Sequence, residues 1–121
     1  MSRVVHFEIP AENAARAAEF YRATFGWKIN KWEGPIDYWL AETGTEGEPV
    51  IDGAIYTRDE GDQIRNVIDV ESVDEAVKSI ESAGGVIISP KMAVPGIGYT
   101  AYFQDTEGNI LGVIENDESA A

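Results

Sequence analysis

A chain whose secondary-structure signals occur twice in the same order is confined to folds built from two like modules, and this sequence has that property. Residues 3–9 alternate, with Val5, Phe7 and Ile9 on one face and Val4, His6 and Glu8 on the other, as a half-buried strand requires. Asn13 caps a helix whose apolar positions Ala14, Ala17, Ala18, Tyr21 and Phe25 fall at helical spacing, and Gly26 ends it. Strands follow at 27–32, 37–43 and 50–57, separated by the turn-prone "EGP" and "TGTEGEP". After the polar connection "DEGDQ" the order recurs: a strand at 64–70, a helix at 73–83 closed by "GG", and strands at 86–89, 98–104 and 109–115. Sliding the sequence on itself by 59 residues pairs Ile9 with Ile68, Ala17 with Ala76, Gly26 with Gly85, Ile51 with Ile110, Gly53 with Gly112 and Ile55 with Ile114. The expected organisation is one domain over 1–121 made of a first module, 3–57, and a second, 64–115, each running strand, helix, three strands.

The chain has 121 residues, 44% of them hydrophobic, enough for one compact core. Nine basic against 22 acidic residues give a formal charge of −13, which repels a phosphate backbone or an anionic bilayer and argues against nucleic-acid and membrane partners. With no cysteine there is no disulfide, thiolate metal site or cysteine nucleophile. "MSRVVHFEIP" is too short an apolar run for a signal peptide, and no run of about 18 apolar residues occurs, so a soluble, cytoplasmic protein is expected.

Three stretches, "HFEIPAENAARAAEFYRATFGW", "VESVDEAVKSIESAGGVI" and "FQDTEGNILGVIE", resemble the signatures of the vicinal oxygen chelate superfamily, which contains glyoxalase I, bleomycin-resistance proteins and extradiol dioxygenases. The resemblance spans roughly residues 3–115, and its "FYRATFGW" and "DTEGN" elements speak for the superfamily more than for an activity. It implies an α+β fold of two βαβββ modules whose curved sheets make a cup, completed by homodimerisation. It also implies that metal-using members draw ligands from the first and last strands of each module.

In that pattern a ligand histidine begins the first strand, where His6 stands; the position 59 residues on is Arg65. The carboxylates of the last strands should fall at 53 and 112, and both are glycines. A guanidinium has no lone pair to offer a cation, so His6, Arg65, Gly53 and Gly112 do not make the metal site, and no metal or other cofactor is expected. Strand alternation sends the neighbouring Asp52 and Glu115 to the opposite face unless a bulge intervenes.

Parity puts His6 and Glu8 on the cup face of the first strand and Arg65, Val67 and Asp69 on the corresponding face of its partner. His6 is read either as a partly buried histidine bonded to Glu8 or a neighbour, or as an acid–base or ligand contact alongside Glu8. Arg65 is read either as the ion-pair partner of Asp69 or Glu8, or as a fork for a carboxylate or phosphate. Gly53 and Gly112 are plain strand glycines or leave room for an organic molecule. Among the aromatic residues Trp39, Tyr99 and Tyr102 are assigned to the ligand, core packing being the competing role, and Tyr38 and Trp39 cannot both face the cup. "MAVPGIGYT", residues 92–100, reads as a loop over the site or a turn before a strand, and "ENDESAA" as a frayed tail.

Two functions follow. The first is a metal-independent protein that binds a small organic molecule in a sheet-lined cup, as bleomycin-resistance proteins do. The second is an enzyme of glyoxalase, epimerase or dioxygenase type, with lyase or isomerase chemistry resting on His6, Glu8 and Arg65.

Overall fold

The structure, a computed structural model, describes residues 2–45 and 47–121. It is an α+β protein of two βαβββ modules, and its contacts divide it into one unit of residues 6–64 and a second of residues 2–5 with 65–121. The first unit contains most of β1 (Val4–Ala11), then α1 (Ala14–Phe25), β2 (Lys28–Lys31), β3 (Tyr38–Glu42) and β4 (Asp52–Thr57). Its strands lie in the order β2, β3, β4, β1, with β1 parallel to β4 and the other neighbours antiparallel.

The Asn13 side chain accepts from the Arg16 amide, and Gly26, at φ 71°, takes the left-handed conformation that closes α1. Between these caps Ala14 and Ala18 are buried, and their small side chains let the helix approach Ile29, Ala41 and Ile55 of the sheet. Ile9, Tyr21, Trp27 and Trp39 close the margins of this core. The helix-facing series is therefore Phe7, Ile9, Ala11 on β1, Trp39 and Ala41 on β3, and Gly53 and Ile55 on β4. The remaining series, His6, Glu8, Tyr38, Leu40, Asp52, Ala54 and Tyr56, lies on the face turned away from α1.

The second unit contains β5 (Arg65–Asp69), α2 (Val73–Ser82), β6 (Val86–Val94), β7 (Gly98–Gln104) and β8 (Ile110–Asn116), in the strand order β5, β8, β7, β6. Here β5 and β8 are parallel. Ser72 caps α2, and the Glu115 carboxylate accepts from the Val73 amide at 2.9 Å, placing an anion at the helix N-terminus where the backbone dipole favours it. Val73, Ala101 and Val113 form the core, with Ile68, Val77, Ile80, Tyr99 and Phe103 packed around them.

Two expectations are corrected in this unit. Strand β6 does not stop at 89 but continues through Pro90 to Val94, absorbing register shifts between Ile87 and Ser89 and between Ser89 and Met92. "MAVPGIGYT" is thus the tip of a β6–β7 hairpin, with Val94 opposite Gly98. Nor is the tail frayed: the Gly96 amide donates to the Ala120 carbonyl at 2.9 Å, the Asp117 amide donates to the Ile97 carbonyl at 2.9 Å, and Ala120 is buried.

Candidate functional site

In the first unit three polar side chains from two strands converge on the face away from α1. Glu8, on β1, is only 3% exposed, a burial that a carboxylate tolerates when it is hydrogen-bonded. The Tyr38 hydroxyl of β3 donates to Glu8 Oε2 at 2.7 Å and lies 2.8 Å from His6 Nε2. The His6 and Tyr38 rings lie nearly end to end across this hydrogen bond, centres 6.3 Å and planes 18° apart, and Trp32 meets Tyr38 edge-on with ring centres 6.0 Å apart. Burial lowers the His6 pKa below its ordinary 6.5, since desolvation disfavours the imidazolium, while the negative charges of Glu8 and Asp52 work against that shift without reversing it. The array therefore holds a neutral imidazole, a phenol and a carboxylate in hydrogen-bond sequence, which suits it to accept, donate or hold a proton.

Sequence alternation alone assigns Trp39 to the ligand; the structure puts Tyr38 in that place. Trp39 packs with the α1 core, its ring 5.9 Å from the Arg22 guanidinium and its Nε1 donating to Asp37. The two alternating series of β3 carried no signal that separates them: Tyr38, Leu40 and Glu42 include an apolar side chain, and Trp39 has a polar tip of its own.

Gly53 also requires correction. The ladders pair Glu8 with Ala54 and Val67 with Gly112, so positions 59 apart on the first strands face positions 58 apart on the last. The repeat slips by one residue, and a slip of one inverts strand parity. Gly53 lies opposite Phe7 on the helix side, where a β-carbon would run into the Phe7 ring. Asp52, expected on that side, pairs instead with His6. Its carboxylate accepts from the Thr43 amide at 2.9 Å and so braces the β3–β4 connection.

In the second unit Arg65, Val67 and Asp69 of β5 share a face with Gly112 of β8 and Tyr102 of β7. The space above Gly112 is filled by the Tyr102 ring: an added β-carbon would stand 2.8 Å from Tyr102 Cε1 and 3.4 Å from Val67 Cγ2. The Arg65 guanidinium lies over that ring, 4.1 Å from its centre. Asp69 accepts from the Asn116 amide group at 3.3 Å. Tyr99, expected beside the ligand, belongs to the α2 side, where it packs with the core and carries Lys91 Nζ 4.5 Å over its ring.

These donors do not fit the metal centre of the resembled superfamily. Arg65 and Gly112 have no side-chain lone pair to give a cation, and Glu115 is spent on the α2 N-terminus. Among the described residues no three His, Cys, Asp or Glu side chains come together as a metal would need.

The bleomycin resistance protein-like N-terminal family matches residues 3–44. A glyoxylase-like domain-containing protein of Didymella fabae is 31% identical over 108 residues, with 84% of each chain covered. Among solved structures, a hypothetical protein from Bacillus halodurans C-125 superposes with a TM-score of 0.74 at 14% identity, covering 99% of this chain and 98% of that one. Methylmalonyl-CoA epimerase from Mycobacterium tuberculosis does so with a TM-score of 0.69 at 14% identity, covering 94% and 87%. At such identities the structural likeness speaks for the fold alone.

Proposed function

This chain belongs to the vicinal oxygen chelate superfamily, as a glyoxalase- and bleomycin-resistance-like member, and on that premise we propose that it binds a small anionic organic molecule without the superfamily's metal. The observation that carries this reading is the Arg65 guanidinium, its central carbon 4.1 Å over the centre of the Tyr102 ring, where that ring covers Gly112. A guanidinium held over an aromatic ring is restrained in position, and its N–H groups are of the kind that match a carboxylate or phosphate in two-point geometry. A permanent cation at this point on β5 performs part of the electrostatic task of a divalent ion by attracting a carboxylate, phosphate or enolate oxygen.

The test is a thermal-shift screen of small carboxylic acids and their primary amides on wild type and Arg65→Met. Acids should stabilise the wild type more than amides do, and Arg65→Met should lose about 1.5–3 kcal/mol of acid binding, the range for a hydrogen bond to a charged group. Arg65→Lys should recover only part of it. No preference for acids in the wild type refutes the reading.

A second reading, acid–base catalysis of epimerase or isomerase type, is favoured by the Glu8–Tyr38–His6 array, with the imidazole as the proton acceptor. Exposed Val86, Ile88 and Met92 on β6 support the further proposal that a second copy completes the assembly.

A further inference from the structure

We propose that Tyr38 is a positioning residue that holds His6 in its Nε2–H tautomer, so that Nδ1 is the acceptor the first unit offers to a ligand bearing an O–H or N–H donor. A phenol has a single proton, and the Tyr38 hydroxyl places it on Glu8 Oε2 at 2.7 Å. Toward His6 Nε2, 2.8 Å away, the phenol oxygen is then only an acceptor, so Nε2 must donate. A neutral imidazole has one N–H, and with that proton on Nε2 the lone pair sits on Nδ1.

Three further features hold the arrangement. The buried carboxylate polarises the phenol it receives from, which makes the phenol oxygen a better acceptor for Nε2–H. The near-coincident planes of the two rings, 18° apart, align the imidazole nitrogen with the phenol oxygen, and the edge-on Trp32 contact restrains Tyr38. Among the described residues the His6 side chain makes no second hydrogen bond, so none of them supplies a donor to Nδ1. The ligand class follows from the atom: a hydroxyl, phenol or amide N–H is recognised, and its methylated counterpart is not.

This inference rests on the reading that these faces bind a small molecule, yet its test is independent of Arg65. Because His6 is the only histidine, long-range proton–nitrogen correlation spectra of the ¹⁵N-labelled protein contain a single imidazole pattern. At mildly alkaline pH the free wild-type protein should show protonated Nε2 and bare Nδ1. Tyr38→Phe should shift that pattern toward an average of two tautomers. Phenol should move the Nδ1 resonance of the wild type, and anisole should leave it in place. A wild-type pattern with the proton on Nδ1 overturns the tautomer assignment without recourse to any variant, as does an unchanged pattern in Tyr38→Phe. An Nδ1 resonance that ignores phenol, or that responds equally to anisole, overturns the ligand assignment. Failure of the acid and amide screen would leave these spectra unaffected, and the converse also holds.

Discussion

Substituting Gly53 by alanine tests the strand parity on which the whole assignment of faces depends. An ideal β-carbon at Gly53 would fall inside van der Waals contact of three Phe7 ring carbons, Cδ1, Cε1 and Cζ. The ring cannot simply swing aside, because Phe7 rests against Trp27, with ring centres 5.9 Å apart, and Trp27 is stacked on Tyr21 at 4.9 Å with planes 7° apart. Overpacking of this kind costs about 1–3 kcal/mol. The smaller unfolded-state entropy of alanine returns about 0.4–1 kcal/mol. A net loss of about 1–2 kcal/mol should remain, a Tm drop of roughly 4–10 °C for a chain of this size. Thermal and urea unfolding of the wild type, Gly53→Ala, Phe7→Ala and the double variant measure it. Shortening Phe7 opens the space that the new methyl needs, so the double variant should be less unstable than the sum of the single ones by about 1 kcal/mol or more. If Gly53→Ala is neutral or stabilising and the cycle shows no coupling, Gly53 faces away from Phe7. The assignment of Asp52 to the His6 face then falls with it.

Glu115→Ala removes the carboxylate that accepts from the Val73 amide and should cost about 0.5–2 kcal/mol by chemical denaturation, with the α2 amides losing hydrogen-exchange protection first. The His6 pKa is depressed in the folded protein, so below 6.5 the unfolded chain binds the proton more readily. Stability should therefore fall as pH drops from about 6.5 through the folded pKa, and that segment of the pH–stability curve should flatten in His6→Gln. Chelators should leave the Tm unchanged, because among the described residues no three His, Cys, Asp or Glu side chains come together to hold a cation; a Tm lowered by chelation and restored by one metal equivalent would refute this. Light scattering at micromolar concentration should report a dimer, and a concentration-independent monomer would refute the proposal of a second copy on β6.

Much of the architecture was legible in one dimension because it rests on local physics. Asn13 and Gly26 mark the ends of α1 by their capping chemistry, the alternation around His6 and Glu8 defines a strand with two unlike faces, and the order of elements states the βαβββ plan twice. The membership of His6, Glu8 and Arg65 in polar series followed from the same alternation. Their chemistry also followed from residue type alone, since a guanidinium at 65 and a glycine at 112 exclude lone-pair donation wherever the strands lie.

What only the tertiary structure decided is which residues of neighbouring strands stand side by side. Period two makes each strand's faces readable but leaves their assignment open to a slip of one residue, and glycine identities at 53 and 112 disguised such a slip. The choice between Tyr38 and Trp39 was undetermined for the same reason: each has an apolar ring and a polar tip, and the close fit of Ala41 against α1 sent Trp39 to the helix side. The partners of Asp52, Glu115 and Tyr102 depend on hydrogen bonds and ring contacts across distances in sequence of 9, 42 and 37 residues, which no local pattern encodes. Sequence thus determined the chemical inventory and its strand series, and packing against the two helices determined which series each sheet turns away from its helix.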